Sequence, residues 1–241
     1  MIIKVLGTGT SVPSLKRASS AYLVMTDQLT ILIDVGPSVV RRLLEFGYAV
    51  NDVDLVILTH FHVDHSADLS TFLFACNYGI KPRTKPLLVI GGQGIMRFYR
   101  GLSCIYPWIL PKTYRLTVKS LARKSMEIGN LCIETCRVNH NRESIGVKIE
   151  ENGKSVVFSG DTDYSRSLVN LVRHADLFIA ECAFPERKIE GHMNLAVLDR
   201  IVKEARPERV IISHLYPDWE SYKGVLHAPY LIGEDRMEAE L

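Results

Sequence analysis

Ten short apolar runs recur along the chain, rich in β-branched residues and bounded by Gly, Asn or Asp: IIKVL, AYLVM, LTILID, DLVILT, PLLVIG, LCIETCRV, SIGVKIE, KSVVFSG, DLFIAE and RVIISH. Their length and composition predict strands. Between them, apolar positions fall at helical spacing over 37–46, 66–77, 92–102, 165–174 and 194–204, the first with proline at an early position. Within IEENGKSVVF, Asn152-Gly153 supplies the two residues of a tight hairpin turn.

The runs come as strands first, then strand alternating with helix, then three strands through the hairpin, then alternation again. That order predicts an α/β protein in which two sheets pack face to face with helices outside, a four-layer αββα sandwich. A single doubly wound sheet would leave the same local pattern. No repeat, low-complexity tract or linker divides residues 1–241, so one domain is expected. The polar C-terminal stretch GEDRMEAEL is expected to fray.

Composition adds little to this picture. At 47% hydrophobic and 23% charged the chain is ordinary globular protein, and a net charge of +2 demands no polyanionic partner. The N-terminal MIIKVL reaches Gly7 before a signal-peptide core can form, and no apolar segment approaches the ~18 residues of a membrane span, which predicts a cytoplasmic protein without membrane association. The five cysteines, odd in number and widely spaced, read as buried reduced thiols rather than a disulfide frame or a metal site.

The chemistry is concentrated in THFHVDH, directly after the run DLVILT. In extended chain, His60 and His62 point the same way while Phe61 turns toward the core. A helix beginning near Asp64 would project its carboxylate and His65 from the first turn. One segment thus offers two imidazoles to one metal and a carboxylate plus an imidazole to another. Further ligand types follow other strands: His140 after LCIETCRVN, Asp161 after KSVVFSG and His214 after RVIIS. Taken singly each has an ordinary alternative, since aspartate after Ser-Gly is a common turn or cap and histidines at strand ends are frequent. Together they make the five imidazoles and two carboxylates that two metals sharing a bridging carboxylate require.

The series His60-x-His62-x-Asp64-His65, then His140, Asp161 and His214, resembles the signature of the metallo-β-lactamase-fold hydrolases over nearly the whole chain. It is most similar to the ribonuclease Z-like branch, through VLGTGTSVPSLKRASSAYLV, ILIDVGP, VIGGQGIMRFYRGL, FSGDTDYS and ADLFIAECAF. The resemblance implies His60, His62 and His140 on one metal, Asp64, His65 and His214 on a second, and Asp161 bridging. Imidazole-rich ligation suits Zn²⁺, with Mn²⁺ or Fe²⁺ as substitutes. It also implies hydrolysis by a hydroxide bridging two ions about 3.5–4 Å apart, with Asp64 and His192 as the catalytic residues. His192, just before a helix in EGHMNLAVLDRIVKEA, matches a histidine that the branch sets near the Asp64 position as acid for the leaving oxygen; Asn194 would cap that helix. Asp34 and Thr59 sit where they could orient ligand imidazoles, although Asp34 could equally begin a turn. GTGT at 7–10 reads as a structural turn rather than a phosphate cradle.

The chain departs from the branch in one respect. Ribonuclease Z enzymes that process tRNA carry a long arm between the positions of His140 and Asp161, whereas here the twenty intervening residues are consumed by two strands and a turn. A small or cyclic phosphodiester is therefore the expected substrate, with nucleic acid not favoured. RFYRGLSCIYPWILPKTYRL, residues 97–115 with the leucine that follows, mixes Arg97, Arg100, Lys112 and Arg115 with aromatics, and could be a lid, a homodimer contact or a nucleic-acid surface. The alternatives that stay open are tRNA 3′-end cleavage, hydrolysis of another ester, thioester or lactone, and a non-catalytic metal-binding scaffold.

Overall fold

Each of the ten apolar runs forms a strand in the computed structural model, which describes residues 1–122 and 124–241. The first sheet holds β1 (Ile2–Gly7), β2 (Ala21–Met25), β3 (Thr30–Ile33), β4 (Leu55–Leu58), β5 (Leu87–Gly91) and β6 (Leu116–Ser120) side by side in chain order. The second holds β7 (Ser125–Ile128), β8 (Leu131–Arg137), β9 (Ile145–Glu151), β10 (Lys154–Phe158), β11 (Leu177–Glu181), β12 (Arg209–Ser213) and β13 (Tyr230–Ile232), and β14 (Glu238–Glu240) returns to the first sheet beyond β1. β3 to β6 are parallel to one another, as are β10 to β13.

Parallel strands are buried on both faces, and the alternation is visible even where every residue is apolar. Ile31, Ile33, Leu55 and Ile57 enter the core between the sheets, where they meet Ile145, Val147, Phe158 and Ile179. Leu32, Val56 and Leu58 point outward beneath α1 (Val39–Glu45), the short α2 (Val63–Ser66), α3 (Leu69–Tyr78) and α4 (Ile95–Ile105), a layer whose buried residues include Val39, Leu43, Phe72 and Ile95. The outer face of the second sheet is covered by α5 (Arg166–Val172), α6 (Leu195–Ala205) and the short α7 (Asp218–Ser221). The result is the αββα sandwich.

The hairpin between β9 and β10 turns on Asn152 and Gly153, with φ of 53° and 75°, the left-handed pair that matches strand twist. It occupies the chain between His140 and Asp161, so no arm protrudes there. The helix expected over 66–77 is two pieces, α2 and α3, and α2 starts early enough to contain Asp64 and His65. Asn194 caps α6, its side chain accepting from the Val197 N–H at 3.1 Å.

The C-terminus does not fray as its polarity predicts. Residues Glu238 to Glu240 pair antiparallel with β1, and the Leu241 N–H donates to the Met1 carbonyl. Asp235 accepts from the Thr8 N–H and hydroxyl at 2.9 and 2.8 Å and from the Ala18 N–H at 2.7 Å, anchoring the GTGT turn. An edge strand needs a backbone ladder more than an apolar face, so EAE carries no hydrophobic signal. Among the described residues, no helix is long and apolar enough to cross a membrane.

Candidate metal centre

The strands β3, β4, β8, β10, β11 and β12 end on one edge of the sandwich, and the loops leaving those ends carry Asp34, His60, His140, Asp161, His192 and His214. Grouping at the carboxyl ends of strands is where open α/β sheets place their sites. The sheets are tied together there, the Ile145 N–H donating to the Thr59 carbonyl at 3.0 Å. α2 brings Asp64 and His65 to the same edge. Gly36 makes that approach feasible, since a Cβ on it would lie 1.8 Å from the Asp64 carbonyl oxygen.

All seven expected ligand residues converge. His60, His62, His140 and Asp161 offer ligand atoms within 4.8 Å of one another, as do Asp64, His65 and His214, and as do Asp161, His192 and His214. The spacings are those of ligands around an ion, since two donors on a tetrahedral ion at ~2.0–2.1 Å lie roughly 3.3 Å apart. His62 Nδ1 and His140 Nε2 are 3.2 Å apart. His65 Nε2 lies 3.3 Å from Asp161 Oδ1, and His214 Nε2 lies 3.3 Å from Asp161 Oδ2 and 3.4 Å from Asp64 Oδ2. His60 Nε2 is 3.6 Å from Asp161 Oδ2. Asp161 is thus the residue that touches both groups.

Unpartnered atoms make the same point. His60 Nε2, His65 Nε2 and Asp161 Oδ1 are buried yet accept or donate no hydrogen bond. A buried polar atom without a partner costs about 1–3 kcal/mol, and one such atom in each of the two groups, with Asp161 Oδ1 at the residue that touches both, fits cations held there. Protonation fits as well. Burial and the charge of His65 hold His60 well below the usual histidine range, so it is a neutral donor. Burial pushes the Asp64 carboxyl up, but the hydrogen bond from His214 and the charges of His65 and His214 hold it down to about 2. Burial likewise opposes ionisation of Asp161, yet His214, His65 and His60 hold it well below the carboxylate range. His65 goes the other way: against burial, Asp161 and Asp34 raise it well above the usual histidine range, so a proton balances the carboxylates where a metal would.

Outer contacts orient the rings. Asp34 Oδ2 lies 2.7 Å from His65 Nδ1, and the Thr59 hydroxyl, 3.2 Å from His60 Nδ1, donates to the same carboxylate at 2.8 Å. The Thr59 N–H donates to Asp34 Oδ1 at 2.7 Å. The Gly191 carbonyl accepts from His140 Nδ1 at 3.0 Å.

His192 stands beside the cluster, its ring 4.9 Å from that of His140 and 5.6 Å from that of His214. Its direct partner is Glu181 rather than Asp64: Glu181 Oε1 is 3.0 Å from His192 Nδ1. Glu181 is itself fixed, accepting from the backbone N–H groups of Thr162 and Met193 at 3.1 Å each and of Ala183 at 2.8 Å. Sequence reasoning passed over Glu181, although an acidic residue closing the apolar run DLFIAE was its visible signal. It also passed over Asn141, whose Nδ2 lies 2.9 Å from His62 Nε2. Nothing in the sequence joins two positions so far apart.

An αββα sandwich with this cluster at the carboxyl ends of its strands defines a metallo-β-lactamase-fold hydrolase of the ribonuclease Z-like kind. Comparison with known proteins agrees. The family model for the anti-Pycsar protein Apyc1 matches residues 1–232, and the chain belongs to that family. The probable metallo-hydrolase YhfI of Bacillus subtilis is 28% identical over 224 residues, covering 89% of this chain and 87% of the relative. Its crystal structure superposes with a TM-score of 0.82 at 24% identity over 99% of this chain and 98% of that one. Ribonuclease Z of Saccharolobus islandicus is 25% identical over 265 residues, covering 89% of this chain and 88% of its own. The short form of human tRNase Z shares the fold, with a TM-score of 0.82 at 19% identity over 100% of this chain and 99% of that one.

Proposed function

We propose that this hydrolase is a phosphodiesterase acting on a small or cyclic phosphodiester, with His60, His62 and His140 on one divalent ion, Asp64, His65 and His214 on a second, and Asp161 shared. Five imidazoles with two carboxylates favour zinc, with manganese or iron(II) as substitutes. When bound, the ions supply Lewis-acid charge at the phosphoryl group and lower the pKa of water. The ribonuclease Z relatives support phosphodiester chemistry, and the tight β9–β10 hairpin, where a tRNA-gripping arm would emerge, supports a small substrate.

The observation that carries the reading is the His192–Glu181 pair. Glu181 can only accept, so His192 keeps a proton on Nδ1, and Nε2 is the nitrogen left for the substrate. Burial lowers the affinity of His192 for a second proton, but the hydrogen bond and charge of Glu181 raise it above the usual histidine value. A protonated ring so placed can deliver the Nε2 proton to a departing alkoxide and remain hydrogen-bonded to Glu181 afterwards. Asp64, 3.4 Å from His214 Nε2, stays ionised. A thioester, whose thiolate departs unprotonated, has less need of such a donor.

Zinc-loaded protein is expected to hydrolyse bis(p-nitrophenyl) phosphate or cyclic nucleotides, to lose that activity on chelation and to regain it on reloading. Inertness toward every phosphodiester alongside opening of a lactone, thioester or lactam would overturn the assignment, and cleavage of a precursor tRNA would replace the small substrate by RNA.

The same reading includes a homodimer. α4 and the turn after it present Ile105, Trp108 and Leu110 at 66%, 56% and 48% exposure, and α3, which packs on that turn, carries the exposed and mutually stacked Phe74 and Tyr78. Phe98 and Tyr114, by contrast, turn inward, Phe98 stacking on Phe61 at 4.7 Å. Light scattering is expected to give the mass of two chains, and Trp108→Glu the mass of one. A single-chain mass for the unaltered protein removes the dimer.

A further inference from the structure

We infer that Asn141 sets the proton position on His62, and that its amide turns over when the metal enters. The inference rests on the proposed placement of His62 and His140 on one ion.

The hydrogen-bond chain at this corner has one consistent direction. The Gly191 carbonyl can only accept, so His140 carries its proton on Nδ1 and a lone pair on Nε2. His140 Nε2 is 3.2 Å from His62 Nδ1, which must therefore be the donor. With its proton on Nδ1, His62 has a lone pair on Nε2, and this accepts from Asn141 Nδ2 at 2.9 Å. Every group in the chain then has its partner.

An ion between the two rings reverses part of that chain. A metal-bound imidazole is neutral and gives its lone pair to the ion. His140 Nε2 already has one free. His62 faces His140 through Nδ1, and its Nε2 is turned to Asn141, so Nδ1 is the nitrogen that must bind. The ring proton then has to sit on Nε2: one proton leaves Nδ1, one is taken up from solvent at Nε2, and the ring releases none in net. Nε2–H now points at the Asn141 NH₂, donor against donor. A half-turn about the terminal amide torsion exchanges Nδ2 for Oδ1 and restores the bond. Asparagine is suited to both states because its two ends are alike in shape and opposite in hydrogen-bonding sense. Asn141 is half-exposed and packs into no core, so the turn is unobstructed. The amide is a positioning group for His62, as Asp34 is for His65, but one that follows the metal.

The test uses full-length protein labelled with ¹⁵N, histidine tautomer spectra without and with zinc, and zinc affinity from chelator competition. In the unaltered protein His62 is expected to change from the Nδ1–H to the Nε2–H form on loading. Asn141→Asp, able only to accept, requires a proton on His62 Nε2 and is expected to abolish the form protonated on Nδ1 alone before zinc is added. Asn141→Leu, able to do neither, is expected to bind zinc about 10–100-fold more weakly, the usual cost of losing an outer partner. A His62 that stays Nδ1–H with zinc bound overturns the inference while leaving the metal site intact, as does Asn141→Leu binding zinc as tightly as the unaltered protein. Failure of the unaltered protein to bind zinc overturns both.

Discussion

Replacing His192 with alanine is expected to lower kcat for a phosphodiester with an alkoxide leaving group about 10²–10⁴-fold, the usual worth of a positioned acid. With p-nitrophenolate, which departs without a proton, the same variant is expected to lose less than about tenfold. KM should change little in either case, because the proton moves only as the bond breaks. Equal losses on both substrates would mean that His192 positions the site rather than donating. Glu181→Gln supplies a second readout. The acid must be protonated to act, so activity falls as pH rises through its pKa. Glu181 raises that pKa, and removing its charge is expected to move the alkaline limb of the kcat profile to lower pH. Bound cations pull the His192 pKa down in both proteins, so the displacement between the two profiles is the measurement. An unmoved limb would detach Glu181 from the acid.

The second large effect lies far from the site. Arg83 is 1% exposed and its guanidinium is enclosed by backbone carbonyls: Nε donates to Lys85 at 2.8 Å, Nη1 to Val50 and Asn51 at 3.1 and 3.5 Å, and Nη2 to Val53 and Pro86 at 2.8 and 2.7 Å. These carbonyls belong to the loops that lead into β4 and β5, and β4 carries the THFHVDH segment at its other end. Arg83→Ala removes every donor at once and leaves the acceptors buried. The expected loss is about 3–5 kcal/mol, read as a fall of ~10 °C in Tm. Lysine, a point charge on a flexible stem, cannot reach carbonyls on several sides and is expected to rescue little of it. A Tm within ~2 °C of the unaltered protein in Arg83→Ala would show that water replaces the side chain at no cost.

Local pattern and long-range contact divide cleanly in this chain. β4 is legible because LVIL is apolar, β-branched and flanked by turn residues, and the β9–β10 hairpin because Asn152-Gly153 suits the left-handed turn. β6, β7, β13 and β14 were not legible: their apolar runs are short or broken, and their place depends on a neighbouring backbone offering a free edge. The seven candidate ligand residues are legible as ligand types at strand ends or in the helical turn that follows β4, and their grouping into one set comes from the family resemblance. Their partners are not legible. Glu181 meets His192 across a loop, and Asn141 meets His62 across 79 positions, through the packing of one sheet on the other.

The sequence by itself determined ten of the strands, the hairpin, the α/β order and the ligand types, since these follow from periodicity and from side-chain chemistry at each position, while the packing of two sheets rather than one was a matter of tertiary structure. Tertiary structure alone decided the polarity of the site: which nitrogen of each imidazole faces inward, which carboxylate holds His192, and how an edge of EAE closes the first sheet. Hydrogen-bond direction and burial are properties of pairs of residues in space, and neither is written at a single position of the chain.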